Sequence, residues 1–147
     1  NLKPFGARAL MSMRLEKNWG AWTLDFRPDF TAKESGLDIF IDWKKDFIGK
    51  KSAKKDNSKL KLTPLVIETK DIDVTNNEAV MKDGKSIGYI TSGGFAHYVK
   101  KSIAYSYLDK ETLKTNKKLE VEINGDFYSC SIIKDPLYDP SGIKMRS

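Results

Sequence analysis

The sequence predicts an α+β N-terminal segment over residues 1–59 followed by an antiparallel β-barrel over residues 60–147, and three observations carry that division. Apolar residues near the start recur at helical spacing. Two hairpin dipeptides interrupt alternating segments in the second half. About six short strands crowd into roughly 75 residues, the density of a small antiparallel barrel or sandwich. With 147 residues, 39% of them hydrophobic, the chain is long enough for one compact core.

The elements follow in order. Ala7, Leu10, Met11, Leu15 and Trp19 fall at i, i+3, i+4, i+8 and i+12, one face of a helix from Gly6 to Trp19. Arg14 borders that stripe, where it either covers a hydrophobic seam as a surface arginine or sits at the rim of a pocket; spacing favours the former. Arg27-Pro28-Asp29 reads as a turn, Thr31 to Ser35 as a short capped helix, and Gly36 to Asp42 as a strand in which Leu37, Ile39 and Ile41 alternate with Asp38, Phe40 and Asp42. A further helix is expected near Ile48 to Lys55. From Leu60 to Glu68 a strand is expected, with Pro64 at a bulge or edge. Asp83-Gly84 joins Glu78–Lys82 to Lys85–Ser92, and Asn124-Gly125 joins Leu119–Ile123 to Asp126–Ile133, both as type I′ turns. Lys101–Tyr107 supplies another strand. In the second hairpin a two-residue loop pairs Ile123 with Asp126, Val121 with Tyr128 and Leu119 with Cys130. Leu119, Val121, Tyr128, Cys130 and Ile132 then share the buried face.

Charge and cysteine use narrow the function classes. The net charge of +6 resides wholly in Lys44–Lys61, which holds eight lysines against Asp46 and Asp56. That window has no arginine and only Trp43 and Phe47 at its edge, so it reads as a solvated lysine-rich helix and linker rather than a nucleic-acid surface. No stretch approaches the ~18 apolar residues of a membrane span, so no membrane partner is expected and the chain reads as soluble. One cysteine and one histidine, Cys130 and His97, exclude an internal disulfide and a Cys/His zinc cluster, and no metal site is expected. The chain opens at Asn1 without methionine, which reads as processing or as a piece of something longer.

The chemistry-bearing patterns are few. Cys130 reads as a buried structural thiol, and nothing in the sequence brings His97 to it as a base. Ser92-Gly93-Gly94 lacks any phosphate-loop pattern and reads as a sharp turn. Asp135-Pro136 and Asp139-Pro140 read as closing turns.

Longer motifs carry a resemblance. Gly6-Ala7-Arg8-Ala9-Leu10-Met11-Ser12-Met13-Arg14-Leu15-Glu16-Lys17 resembles the "GAR…LRLE" helix of the folate-dependent aminomethyltransferase family, to which the glycine cleavage T-protein belongs. Gly88 to Phe95, with Val99 to Tyr105, resembles the family's "GxxTSG…xxKxIAxAY" signature. Asp135 to Pro140, Met145-Arg146, Arg27-Pro28, Glu34, Gly36-Leu37-Asp38 and Asp46 to Lys50 are similar to the dimethylglycine and sarcosine dehydrogenase branch. Arg8 and Arg14 stand further apart than the two arginines of the T-protein, which favours that branch.

The resemblance implies that residues 1–59 end a folate-binding aminomethyltransferase domain and residues 60–147 form the C-terminal barrel. It implies the C-terminal portion of a one-carbon enzyme, an N-methylglycine dehydrogenase that passes the carbon to tetrahydrofolate; a T-protein aminomethyltransferase or a folate-dependent demethylase is the alternative. The family's catalytic aspartate and its FAD-binding glycines would lie upstream of Asn1, so no catalytic residue is expected here and the isolated piece is expected to be inactive. Arg14 and Glu16 are implied closest to folate, then Arg8, with Trp22 and Tyr89 as walls and Trp19 beside them. The implied partners are tetrahydrofolate, a small N-methylated amine and the upstream half of the same enzyme, in the cytoplasm or the mitochondrial matrix. A non-enzymatic basic barrel binding RNA or another polyanion is the reading from a different class.

Overall fold

Short strands joined by tight turns along the second half of the chain build a closed barrel. The computed structural model describes residues 2–55, 58–114 and 118–146, and among them six strands pair antiparallel. They are β1 (Leu60–Ile67), β2 (Ala79–Lys82), β3 (Lys85–Ala96), β4 (Lys101–Asp109), β5 (Leu119–Ile123) and β6 (Asp126–Ile132), ordered β1-β4-β3-β2-β5-β6 and closed by β6 on β1. Residues such as Leu65, Ile67, Val80, Ile90, Ala104, Leu108 and Val121 point inward and make one core. The outward positions Val66, Ile103 and Tyr105 pack with Leu15, Ala96 and Ile133 into a second. Period two thus gives the barrel two apolar faces on one side, and the helix α1 (Ala7–Glu16) covers the outer one through contacts with β3 and β4.

Both hairpins form, the second with the expected register and the first with a register shift between Val80 and Met81. Leu119 faces Cys130, Val121 faces Tyr128 and Ile123 faces Asp126. Asp83 and Gly84, and Asn124 and Gly125, all have positive φ, as a type I′ turn requires. Ile132 departs from the expected buried face: it lies where β6 meets its last β1 partner, Leu65, and is 38% exposed. Pro64 sits within β1 opposite Tyr105, and its carbonyl accepts from the Ile133 N–H on the other side. The missing proline N–H therefore leaves no gap in the ladder.

Three expectations for the first half are corrected. Helix α1 ends at Glu16 rather than Trp19, because Asn18 takes a left-handed φ of 60° and the Trp19 N–H returns to the Arg14 carbonyl at 2.9 Å. The helix expected from Thr31 to Ser35 is instead a turn over residues 32–36, although Thr31 and Glu34 make the reciprocal hydrogen bonds of a capping box. Gly36–Asp42 is no strand: Asp38–Phe40 is a 3-10 turn that leaves Ile39 and Phe40 more than three-quarters exposed. A lone alternating segment has no partner for its backbone groups, and none of the six strands pairs with it. Two short helices complete the described chain, α2 (Lys50–Lys54) in the lysine window and α3 (Lys110–Leu113) before β5. No helix among the described residues is long and apolar enough to cross a membrane.

Candidate functional site

The predicted turn at Ser92-Gly93-Gly94 is instead the middle of the longest strand, and its irregularity organises the site. Ile90 pairs with Ser106 and Ser92 with Tyr105, so Thr91 is the extra residue of a β-bulge. In a regular strand Thr91 and Ser92 would face opposite sides; the bulge brings both hydroxyls to one carboxylate, Asp25. The glycines that follow serve close approach. A Cβ on Gly93 would lie 2.9 Å from Val74 Cγ1 and 3.1 Å from the Val74 carbonyl, while the Gly94 position faces Leu15 of α1. The Ser12 hydroxyl donates to the Phe95 carbonyl at 2.6 Å, fixing the helix across this strand.

Asp25 is fully buried and is the centre of the arrangement. Its carboxylate accepts from Arg14 Nη1 at 2.8 Å, from the Ala21 N–H at 2.7 Å, and from Thr91 and Ser92. Its backbone carbonyl accepts from the Tyr107 hydroxyl at 2.8 Å. Arg14 is only 7% exposed, so the surface reading of this arginine is corrected. Besides Asp25 it donates to the Trp19 carbonyl at 3.2 Å, and its guanidinium carbon lies 5.6 Å from the Tyr105 ring centroid. Its Nε and Nη2 are buried with no hydrogen-bond partner among the described residues, and the aromatic face is what they have instead. The Tyr105 hydroxyl donates to Asn18 Oδ1, and burial above all holds that phenol above its ordinary range.

Glu16, also buried, accepts from the backbone N–H groups of Tyr98 and Val99 at 2.6 and 3.3 Å. Its own carbonyl accepts from the Tyr138 N–H, and Lys17 pairs with Asp139 at 3.3 Å, which ties the C-terminal segment to the end of α1. Arg14, Leu15 and Glu16 therefore act as a clasp: one grips the 19–26 loop, one the barrel wall at Gly94, and one the β3–β4 turn. The helical stripe misjudged this, since Leu10 and Trp19 are each about half exposed while the polar residues flanking Leu15 are buried.

The five residues expected at folate do not meet in one pocket. Arg14 and Glu16 line a cavity of about 360 Å³ with Leu10, Met13, Trp19 and Tyr98. Arg8 lines a different one, of about 480 Å³, with Ser12, Asp73, Gly94, Phe95 and His97, and its exposed guanidinium has no partner among the described residues. Trp22 is 76% exposed and backed edge-on by Phe26 at 5.4 Å. Tyr89 stands half-exposed on the barrel, where its hydroxyl accepts from Arg27, itself stacked against Phe30 and Tyr89. Cys130 is half-buried, its thiol pushed up to about 12 by burial and by the nearby charge of Glu120, and His97 is exposed beside Phe95. Asp25 escaped the sequence reading; the one signal for it is a lone acid set between Trp22, Leu24 and Phe26.

The sequence pattern of the glycine cleavage T-protein C-terminal barrel domain matches residues 61–139. The chain belongs to this family. It is 38% identical over 138 residues to mitochondrial dimethylglycine dehydrogenase of Rattus norvegicus, covering 90% of this chain and 16% of that protein. It is 31% identical over 140 residues to an aminomethyltransferase of Prochlorococcus marinus, covering 92% of this chain and 37% of that protein. The glycine cleavage system aminomethyltransferase T of Bartonella henselae shares the fold, with a TM-score of 0.81 at 21% identity over 90% of this chain and 38% of that one. The chain thus spans well under half the length of the relatives it matches. The stretches Met13-Arg14-Leu15-Glu16, Thr91-Ser92-Gly93 and Ile103–Tyr107 of this chain are the ones that converge on Asp25 and the β3–β4 turn.

Proposed function

We propose that this chain is the C-terminal portion of a folate-dependent one-carbon enzyme of the dimethylglycine dehydrogenase branch, acting on a small N-methylated amine. The supporting observation is the higher identity to that dehydrogenase, 38% against 31% for the aminomethyltransferase. Residues 1–59 are then the end of a folate-binding domain and residues 60–147 its supporting barrel. An FAD-binding domain would precede Asn1, and the whole enzyme would work in the cytoplasm or the mitochondrial matrix.

The residues present fit tetrahydrofolate in part. That ligand offers a flat pteridine and an anionic glutamate tail, which call for an aromatic wall and a free cation. Arg8 supplies a free cation, and Trp22 and Tyr89 are exposed aromatics; the three share no cavity among the described residues, and would touch the ligand once the upstream half completes the site. Arg14 and Glu16 are already bonded inside the protein, and their part is to hold the surfaces that carry the other three. Tetrahydrofolate, when bound, accepts the one-carbon unit. The rest of the cavity would come from the upstream half, and the exposed Leu10, Met13, Trp19, Ile39 and Phe40 are the surface it would cover.

Anaerobic addition of dimethylglycine or sarcosine to the full-length polypeptide tests this. Bleaching of a bound flavin by either amine is expected. A full-length polypeptide with no flavin that instead transfers an aminomethyl group to tetrahydrofolate would overturn the dehydrogenase assignment in favour of the T-protein one.

A further inference from the structure

A buried carboxylate is a costly means of stability, since apolar groups of the same volume give as much without desolvating charge. What it does supply is geometry. Asp25 accepts from four donors, Arg14 on α1, Ala21 on its own loop, and Thr91 and Ser92 on β3, the Ser92 hydroxyl forked across both oxygens. Each bond is confined to a narrow range of length and angle, so residue 25 is located against the helix and the barrel at once. Gly20 lies so close to Phe26 that a Cβ would come within 2.5 Å of the ring, and the loop cannot relax inward. On the loop held this way, Trp22 is presented to solvent with 76% of its surface exposed. An indole needs no buried ion pair merely to be left in water.

We infer that Asp25 is a positioning residue, which with Arg14 as its counter-ion fixes the 19–26 loop so that the Trp22 indole stands ready to stack on a flat heterocycle of the pteridine class. The inference rests on the folate reading above. Asp25 touches no ligand and acts through the loop. The bulge at Thr91 is part of the same device, because only there do two consecutive hydroxyls reach one carboxylate.

The test is calorimetric titration of the full-length polypeptide with tetrahydrofolate, on wild type, Trp22→Ala, Asp25→Asn and Arg14→Lys. Asp25→Asn keeps the shape and removes the charge: its NH₂ can face only the Thr91 and Ser92 hydroxyls, which must turn from donating to accepting, and the buried Arg14 guanidinium loses its counter-ion. Trp22→Ala and Asp25→Asn are each expected to weaken binding at least about tenfold, the scale of a misplaced contact group. Arg14→Lys keeps the cation but loses the planar guanidinium that reaches Asp25, the Trp19 carbonyl and the Tyr105 face, and is expected to weaken binding less than Asp25→Asn does; a loss as large as that of Asp25→Asn would overturn the counter-ion role. With the emission of Trp22 taken as the difference from the matching Trp22→Phe polypeptide, Asp25→Asn is expected to lower its anisotropy, which a general loss of stability below the unfolding transition would not do. Loss of affinity in Trp22→Ala with Asp25→Asn unchanged in affinity and anisotropy would overturn the positioning role. Unchanged affinity in both variants would overturn the assignment of Trp22 as well, whereas a folded wild type that binds no tetrahydrofolate would refute the folate reading itself. Should Asp25→Asn fail to fold, Ser92→Ala, which deletes the forked bond from one of the four donors, replaces it: a two- to threefold weakening is expected, and wild-type affinity would overturn the proposal.

Discussion

Replacing Arg14 by methionine keeps the length of the side chain and removes its charge. The Asp25 carboxylate would then be left in a fully buried site with three donors, Ala21, Thr91 and Ser92, and no counter-ion. Breaking a buried pair from one side costs about 3–5 kcal/mol, and the surviving hydrogen bonds place this case near the lower end, about 3 kcal/mol. For a chain of this size that is a fall in Tm of about 6–12 °C. The control is Lys114→Ala. Lys114 and Glu111 are closer, at 2.6 Å, but 69% and 77% exposed, and such pairs are worth under about 1 kcal/mol. Thermal unfolding followed by circular dichroism, with urea midpoints alongside, measures both. Equal shifts for the two variants, or a change below about 1 kcal/mol for Arg14→Met, would refute the premise that burial rather than distance sets the value of the pair.

Other outcomes follow from the same geometry. Leu65→Ala empties a fully buried position inside the barrel and is expected to cost about 2–5 kcal/mol in urea titrations. Gly93→Ala forces a methyl against Val74 and is expected to cost about 1–3 kcal/mol, with Gly84→Ser harmful through its positive φ instead. Cys130 is expected to resist a thiol reagent at pH 8 in the folded chain and to react at once in urea, because burial pushes its thiol up to about 12. Tyr105 and Tyr107 are both raised above the ordinary phenol value of 10.0, first of all by burial. Folding therefore favours their neutral forms, so the stability they contribute is complete below pH 10 and declines as pH rises above it; urea midpoints across that range should fall, and less so in Tyr105→Phe.

The barrel was legible because its signals are local. A two-residue turn with two positive φ values fixes which residues pair, and alternation then fixes which face is buried, so the Leu119–Cys130 register could be read directly. The N-terminal half was not, for two physical reasons. Its helix is short and buries only its last turn, so the buried set is Arg14, Leu15 and Glu16 rather than the apolar stripe. None of the six strands pairs with its Gly36–Asp42 pattern. Around the candidate site, Arg14 and Glu16 were recognised as special without their role being visible. Charge pairing across 11 residues to Asp25, and a bulge that reverses one hydroxyl, leave no periodic trace in sequence. Gly93 and Gly94 were noticed as glycines, but close approach by Val74 and Leu15 is a property of tertiary packing alone.

The central claim is that this barrel and helix serve a folate cavity whose free cation is Arg8. The most direct measurement is titration of the full-length polypeptide with tetrahydrofolate, wild type against Arg8→Ala. The account predicts one saturable site per chain, weakened at least about tenfold when the charge-assisted contact to the ligand's carboxylate is removed. A folded polypeptide that shows no saturable binding, or an Arg8→Ala variant that binds as tightly as wild type, would contradict it.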